Sequence, residues 1–139
     1  MIGVVVAAHG GLAEALVATA KLVVTQAERV RAVGISASDD SSGYEQRLRR
    51  AIAEVQDGGG VLVLTDMFGG SPSNIGMTLH QPGAVEVLTG ANLPMLIRAL
   101  QLAQRGADLD SAAREVKEYG RRAIALATEV LGGAKEKAP

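Results

Sequence analysis

The stretch Val4–Gly11, VVVAAHGG, decides the fold that the sequence predicts. The apolar run over residues 2–8 is short, rich in β-branched residues and continuous, as expected for a strand buried on both faces of a parallel sheet. Two glycines end the stretch. Between the run and the glycines lies His9, one of two histidines in 139 residues. The stretch therefore predicts an interior strand that delivers a histidine to the edge of a sheet.

Strand and helix patterns alternate four times along the chain. Short segments rich in apolar residues predict further strands at residues 30–35, 61–65 and 85–88, and the segment 61–65 is apolar throughout. Apolar residues at helical spacing predict helices at residues 12–25, 44–55, 71–80, 94–104 and 109–131. Ser41 or Ser42 is expected to cap the second helix, and Gly120 to interrupt the last. The alternation predicts an α/β fold, a doubly wound, mainly parallel four-stranded sheet with helices on both faces. We expect one domain over residues 1–131 and a polar tail over residues 132–139.

Composition excludes several classes of function. The net charge of −1 gives no basic face for nucleic acid, and 2% aromatic residues leave almost no stacking platform for bases or sugars. The absence of cysteine excludes disulfides and thiolate metal sites. No apolar run approaches the roughly 20 residues of a membrane span. The N-terminus lacks the basic region of a signal peptide, so we expect a cytoplasmic protein.

Two side chains at predicted strand ends could perform chemistry. The carboxyl ends of neighbouring parallel strands meet at one edge, where such sheets bind ligands, so His9 and Asp66 are expected to lie together. An imidazole is a base or a nucleophile near neutral pH. A carboxylate that accepts the N–H of one ring nitrogen leaves the other nitrogen free to attack. The structural alternatives are a histidine that completes the core and an aspartate that caps a loop.

The segment GGSPSN, residues 69–74, predicts the start of a helix. Ser71 followed by Pro72 is typical of an N-cap and a first turn, which explains the pattern by structure alone. Gly69 and Gly70 also leave the backbone N–H groups at the helix end open, and such an end binds anions. Together with the histidine and the aspartate, the segment points to phosphate.

Other chemistries lack the residues they need. The sequence has no GxxxxGK[ST] phosphate loop, no GxGxxG after the first strand and no GxSxG elbow. A serine hydrolase could use Ser71, His9 and Asp66, but Ser71 suits a helix cap better. A metal site needs three or four ligands, whereas the second histidine, His80, is expected at the surface near a helix end. We therefore expect no metal and no cofactor.

Three segments resemble a known family: VVVAAHGGLAEAL (4–16), VLVLTDMFGGSPSN (61–74) and VLTGANLPML (87–96). They are similar to the signature segments of the mannose-type enzyme IIA domain of the bacterial phosphotransferase system, and the resemblance extends from residue 1 to about residue 127. It implies a doubly wound, usually dimeric fold whose subunits exchange a C-terminal element. It also implies a histidine that accepts a phosphoryl group from phospho-HPr and passes it to a IIB component for sugar uptake.

The resemblance assigns roles to residues of this sequence. It makes His9 the phosphorylated nucleophile and Asp66 its orienting partner. The phosphoryl oxygens would be held at the helix start, by Gly69, Gly70 and Ser71. A further set of residues would pack the site or dock partner proteins: Leu12, Met67, Phe68, Asn92 and Pro94. The membrane would be involved only indirectly, through a permease complex.

Several functional alternatives stay open. The chain ends without a linker to a IIB domain, so we expect a stand-alone IIA, a homodimer, whose IIB partner is a separate protein. The alternatives are a regulatory docking domain that relays no phosphate, a small phosphate-binding module, and a phosphoryl donor to dihydroxyacetone kinase. The run GGSPSN favours the mannose type over the last of these. The sequence does not name the sugar.

Overall fold

A four-stranded parallel sheet forms the centre of the molecule. The structure, a computed structural model, describes residues 1–67 and 69–132. Its strands are β1 (Gly3–His9), β2 (Val30–Ile35), β3 (Val61–Thr65) and β4 (Val85–Leu88). They pair in the order β2-β1-β3-β4, so β1 and β3 lie in the middle. The predicted α/β fold is confirmed, and the ends predicted for β2, β3 and β4 are those observed.

Helices cover both faces of the sheet. In the described part of the chain they are α1 (Leu12–Val23), α2 (Ser41–Val55), α3 (Ser71–Thr78), α4 (Leu93–Gln104), α5 (Leu109–Arg122) and α6 (Ala127–Gly132). Helices α1, α4 and α5 share a core with one face of the sheet, whereas α2 and α3 share a core with the other face. This is the doubly wound arrangement that the sequence predicts. None of the helices in the described ranges is both long and apolar enough to cross a membrane.

The central position of β1 explains why residues 2–8 are apolar throughout. Val4 and Val6 belong to the core beneath α1 and α4, whereas Val5 and Ala7 belong to the core beneath α2. All four side chains are fully buried. Successive side chains of a strand point to opposite faces, so a strand covered on both sides needs an apolar residue at every position.

The register of the central strands fixes the position of the candidate site. Ala7 of β1 lies beside Thr65 of β3. The strands then end at His9 and just before Asp66, so both residues emerge at the carboxyl edge of the sheet, which we call the carboxyl rim. The backbone N–H of Ala91 donates to the carbonyl of Thr65 at 2.9 Å. The loop after β4 therefore reaches the same rim.

The N-caps of two helices lie one or two residues before the predicted caps. Asp40, not Ser41 or Ser42, is the N-cap of α2, and its carboxylate accepts the backbone N–H three residues further on at 2.6 Å. Gly70, not Ser71, is the N-cap of α3, and Ser71 is the first helical residue. The prediction that Ser71 caps α3 is therefore wrong. Asp, Gly and Ser are all common N-caps, so residue type does not choose between adjacent candidates.

The break in the C-terminal helical segment lies elsewhere than predicted. Helix α5 continues through Gly120, which is buried, and the non-helical residues are 123–126. A β-carbon on Gly120 would overlap Cγ of Met95 on α4. Glycine at this position therefore lets α4 and α5 pack closely and does not end the helix.

The C-terminal element of the described chain is a helix. All residues of α6 are exposed to solvent. The exchanged strand that the family resemblance implies is not observed in residues 1–67 and 69–132, where residues 127–132 are helical. Residues 133–139, most of the predicted tail, lie outside the described residues.

Candidate active site

His9 and Asp66 form a hydrogen-bonded pair at the carboxyl rim. The Asp66 carboxylate accepts two hydrogen bonds from His9 at Oδ2, from the backbone N–H at 2.9 Å and from ring Nδ1 at 2.7 Å. Its Oδ1 atom accepts the backbone N–H of Met67 at 2.9 Å. These three hydrogen bonds hold the carboxylate in one orientation. The juxtaposition predicted from the strand ends is present.

The electrostatics of the pair select one tautomer of His9. Burial on its own raises the pKa of Asp66, but the hydrogen bonds from the backbone and ring of His9 outweigh it and hold that pKa below its usual value. Asp66 is therefore ionised at neutral pH and can only accept, so ring Nδ1 carries the proton. The other nitrogen, Nε2, has a free lone pair. The side chain of His9 is 48% exposed, against 12% for Asp66, so the ring is open to a reactant.

The Nε2 edge of the ring lies against the start of α3. A β-carbon placed on Gly70 would lie only 3.1 Å from Nε2 of His9. The N–H of Asn74 donates to the carbonyl of Gly70 at 2.9 Å, which begins the helical hydrogen bonding. The N–H groups of Ser71 and Ser73 precede it in the first turn, where the helix supplies no acceptor. These groups and the helix dipole favour an anion, so a group attached to Nε2 would lie beside an anion-binding helix end.

Ser73, which the sequence patterns do not single out, holds the glycine turn that leads into α3. Its hydroxyl accepts the N–H of Gly69 at 2.8 Å and donates to the carbonyl of Gly70 at 3.1 Å. The side chain is buried. The sequence feature that could have indicated this role is a serine three residues after the N-cap. From that position a serine hydroxyl can bond to the backbone of the preceding turn. Gly69 and Gly70 are thus held in place by a side chain beneath them.

The predicted docking patch consists, by definition, of Leu12, Met67 and Phe68. Leu12 is the first residue of α1 and is 43% exposed, and Met67 directly follows Asp66 and is 53% exposed. Phe68 lies outside the described residues. The two described members have the exposure that contact with a partner protein requires.

Asn92 and Pro94 lie at the start of α4. The side chain of Asn92 accepts the backbone N–H of Met95 at 2.9 Å and donates to the carbonyl of Gly120 at 3.4 Å. Asn92 therefore caps α4 and ties it to α5. Of the two roles that the resemblance implies, packing of the site and docking of a partner, this geometry favours packing. Pro94 lines a surface depression together with Tyr119 of α5.

His80, the second histidine, lies just beyond α3 and is exposed, as predicted. Its Nε2 is 3.2 Å from Oε1 of Glu86 on β4. Within residues 1–67 and 69–132, no group of three or more His, Asp or Glu side chains is arranged to hold a metal ion.

A model of the protein family described as PTS system fructose IIA component (EIIA-man) matches residues 3–117, which include every described residue of the candidate site. The chain belongs to this family. The resemblance of the three sequence segments is thereby confirmed. As a IIA component, the protein belongs to the phosphoryl-carrying components of the sugar phosphotransferase system.

Two relatives illustrate the range of IIA components similar to this one. The mannose-specific EIIAB component of Escherichia coli (strain K12) is 27% identical over 124 residues, which are 88% of this chain but only 38% of that protein. The chain therefore spans little more than a third of that relative. The fructose-specific EIIA component of Bacillus subtilis (strain 168) is 24% identical over 132 residues, 94% of this chain and 90% of that protein.

Solved structures of IIA components share the fold over almost the whole chain. Component EIIA from Streptococcus agalactiae superposes with a TM-score of 0.82 at 26% identity, covering 92% of this chain and 98% of that one. The mannose/sorbose-specific IIA subunit from Enterococcus faecalis superposes with a TM-score of 0.79 at 27% identity, covering 89% and 92%.

Proposed function

We propose that this IIA component carries a phosphoryl group on Nε2 of His9. The observation that carries the proposal is the 2.7 Å hydrogen bond between Nδ1 of His9 and Oδ2 of Asp66. It engages one ring nitrogen with an ionised carboxylate and leaves the other as a nucleophile. The half-exposed ring gives that nitrogen access to a donor, and the adjacent start of α3 offers N–H groups for the phosphoryl oxygens.

The proposed step exchanges one phosphorus–nitrogen bond for another. The lone pair of Nε2 attacks the phosphorus of a phosphohistidine on the donor protein, and the donor nitrogen leaves with the electron pair of the broken bond. The ring of His9 gains positive charge, which Asp66 stabilises through the Nδ1–H group. In the loose transition state the transferring oxygens carry negative charge, which the first-turn N–H groups of α3 and the Ser71 hydroxyl would bind. No cofactor takes part.

The partners that we propose are phospho-HPr as the donor and a separate IIB protein as the acceptor. A donor must bring its phosphohistidine in line with Nε2, so its surface covers the rim around His9. The exposed side chains of Leu12 and Met67 support contact there, and we include Phe68 in the patch on the family resemblance. The exchange would take place in the cytoplasm, with the membrane reached only through a permease complex.

We also propose that the domain, residues 1–131, forms a homodimer through its C-terminal segment. Several large apolar side chains of this segment are exposed to solvent: Ile124, Leu126, Val130 and Leu131. A helix as short as α6 is not stable in water without a surface to pack on. A second copy of the chain would supply that surface.

Reconstitution with enzyme I, HPr and phosphoenolpyruvate tests the proposed function. The wild-type protein and His80→Ala are expected to accept one phosphoryl group, whereas His9→Ala accepts none and keeps its fold. The label is expected to be acid-labile and base-stable, as a phosphoramidate is.

Each alternative function has its own outcome in the same reconstitution. A labelled His9→Ala variant would exclude His9 as the acceptor, and a base-labile label would indicate a serine ester. A wild-type protein that takes no label would favour a docking domain or a phosphate-binding module. Transfer onward to a dihydroxyacetone kinase but not to any IIB protein would favour the kinase as acceptor.

A further inference from the structure

Gly70 has an ordinary backbone conformation at the point where α3 begins. Its φ and ψ are −90° and 172°, an extended conformation that any residue adopts. The backbone therefore does not require glycine at this position. The reason for glycine lies in what surrounds its α-carbon.

The ring of His9 occupies the space that a side chain on Gly70 would need. A β-carbon on Gly70 would lie 2.7 Å from Cε1 and 3.1 Å from Nε2 of His9, and 3.7 Å from Cγ of Met67. Carbon atoms in favourable contact are about 3.5–4.0 Å apart. A methyl group on Gly70 and the ring of His9 therefore cannot both occupy these positions.

The ring is thus held from two sides. Asp66 Oδ2 binds Nδ1 at 2.7 Å, and the Cε1–Nε2 edge occupies the space that a β-carbon on Gly70 would take. We propose that Gly70 is a positioning residue for phosphoryl transfer, because its missing side chain lets the ring lie against α3 while Asp66 holds Nδ1. The inference rests on the proposed function of His9 and adds to it a residue that sets the orientation of the nucleophile.

A methyl group on Gly70 acts on the ring more than on the fold. The side chain of His9 is half exposed, so the ring can rotate into solvent without opening the core. That rotation breaks the hydrogen bond to Asp66 and carries Nε2 away from the start of α3. Gly70→Ala is therefore expected to change the orientation of Nε2 while changing the stability of the molecule little.

Gly11 supplies a matched control. It is the N-cap of α1, as Gly70 is of α3, and its φ of −92° is also accessible to alanine. Apart from its chain neighbours, no described heavy atom lies within 4 Å of the position that its β-carbon would take. Both variants replace an N-cap glycine by alanine and share the cost of that change. The difference between them isolates the contact with the ring.

The test compares wild type, Gly70→Ala and Gly11→Ala by two measurements. The first is the single-turnover rate of phosphoryl transfer from phospho-HPr at saturating donor, and the second is the ¹⁵N NMR signature of the His9 ring, which reports the protonated Nδ1. For Gly70→Ala we expect the rate to fall about 10- to 100-fold and the ring signature to change. Gly11→Ala keeps the wild-type rate and signature, and both variants unfold at similar urea concentrations.

Three results would overturn the inference. One is a Gly70→Ala variant with the wild-type rate and ring signature. Another is a slow Gly70→Ala variant whose ring signature is unchanged, since the loss would then come from the helix start. A third is unfolding of Gly70→Ala while Gly11→Ala stays folded, because the methyl group would then act on the fold. If wild type itself accepts no phosphoryl group, the proposed function fails, and the NMR comparison still decides whether Gly70 positions the ring.

Discussion

At the scale of single residues, Asp66 accepts two hydrogen bonds from His9 at one oxygen, Oδ2. The bond from the backbone ties the end of β1 to the loop after β3, and the bond from the ring selects the tautomer. An asparagine of the same shape offers an oxygen that accepts and a nitrogen that donates, so it can hold either tautomer of the ring. What Asp66 contributes beyond its shape is therefore its charge.

Asp66→Asn is expected to slow phosphoryl transfer by about one order of magnitude, measured as the single-turnover rate at saturating phospho-HPr. A hydrogen bond to a charged group contributes about 1.5–3 kcal/mol, and about 1.4 kcal/mol corresponds to a tenfold change in rate. Because the ring is half exposed, solvent screening places the effect at the lower end of this range. An unchanged rate would mean that Asp66 is only a loop carboxylate.

The sequence predicts single residues well where a strand end determines their position. His9 and Asp66 follow apolar runs of neighbouring strands, so their meeting could be inferred from parallel topology alone. The close approach of His9 to Gly70 could not, because it joins residues 61 positions apart and depends on the space that a missing side chain leaves for a ring. The hydroxyl of Ser73 was missed because its two partners lie in a turn whose shape the local pattern does not specify.

At the scale of elements, the start of α3 depends on a buried side chain beneath its turn. Ser73→Ala removes the acceptor of the Gly69 N–H and a donor to the carbonyl of Gly70. We expect the free energy of unfolding to fall by about 1–3 kcal/mol, because a partly buried N–H is left unpaired. Urea unfolding measures the change.

Ser71→Ala is the control for this loss of stability. The side chain of Ser71 is exposed at the first helical position, so its truncation is expected to change the free energy of unfolding by less than about 0.5 kcal/mol. Equal effects of the two substitutions would show that Ser73 does not support the turn.

Strands were predicted more accurately than helix ends for a physical reason. A strand buried on both faces has to be apolar along its whole length, so the central strand β3 begins and ends where its apolar run does. A helix can end within an amphipathic pattern, and α1 ends at Val23 and α3 at Thr78, each two residues before the predicted end. Gly120 was misjudged because tertiary packing against Met95, and not helix propensity, explains it.

At the scale of the whole molecule, the strand order brings the candidate site together. With β1 and β3 adjacent in the centre, the loops after both strands, and the loop after β4, meet at the carboxyl rim. The alternation of strands and helices predicts a doubly wound parallel sheet but does not give the order of its strands. The oligomeric state could not be predicted in the same way. The sequence shows that the C-terminal segment is apolar, but not which surface covers it.

The proposed homodimer predicts a particle of twice 14.3 kDa by light scattering. Replacing Leu126 and Val130 by aspartate puts charge into the apolar surface of the C-terminal segment, so we expect the double variant to be monomeric. The fold of the double variant is expected to be intact, because both side chains are exposed. A wild-type protein that stays at 14.3 kDa would contradict dimer formation.

The measurement that tests the central claim most directly is the position of the phosphoryl group on the ring of His9. Because Asp66 engages Nδ1, the phosphoryl group is expected on Nε2. Protein labelled with ¹⁵N-histidine and phosphorylated through HPr is examined for coupling between phosphorus and each ring nitrogen. The predicted result is coupling to Nε2 of His9 while Nδ1 remains protonated. A phosphoryl group on Nδ1 of His9, or on any residue other than His9, would contradict the account.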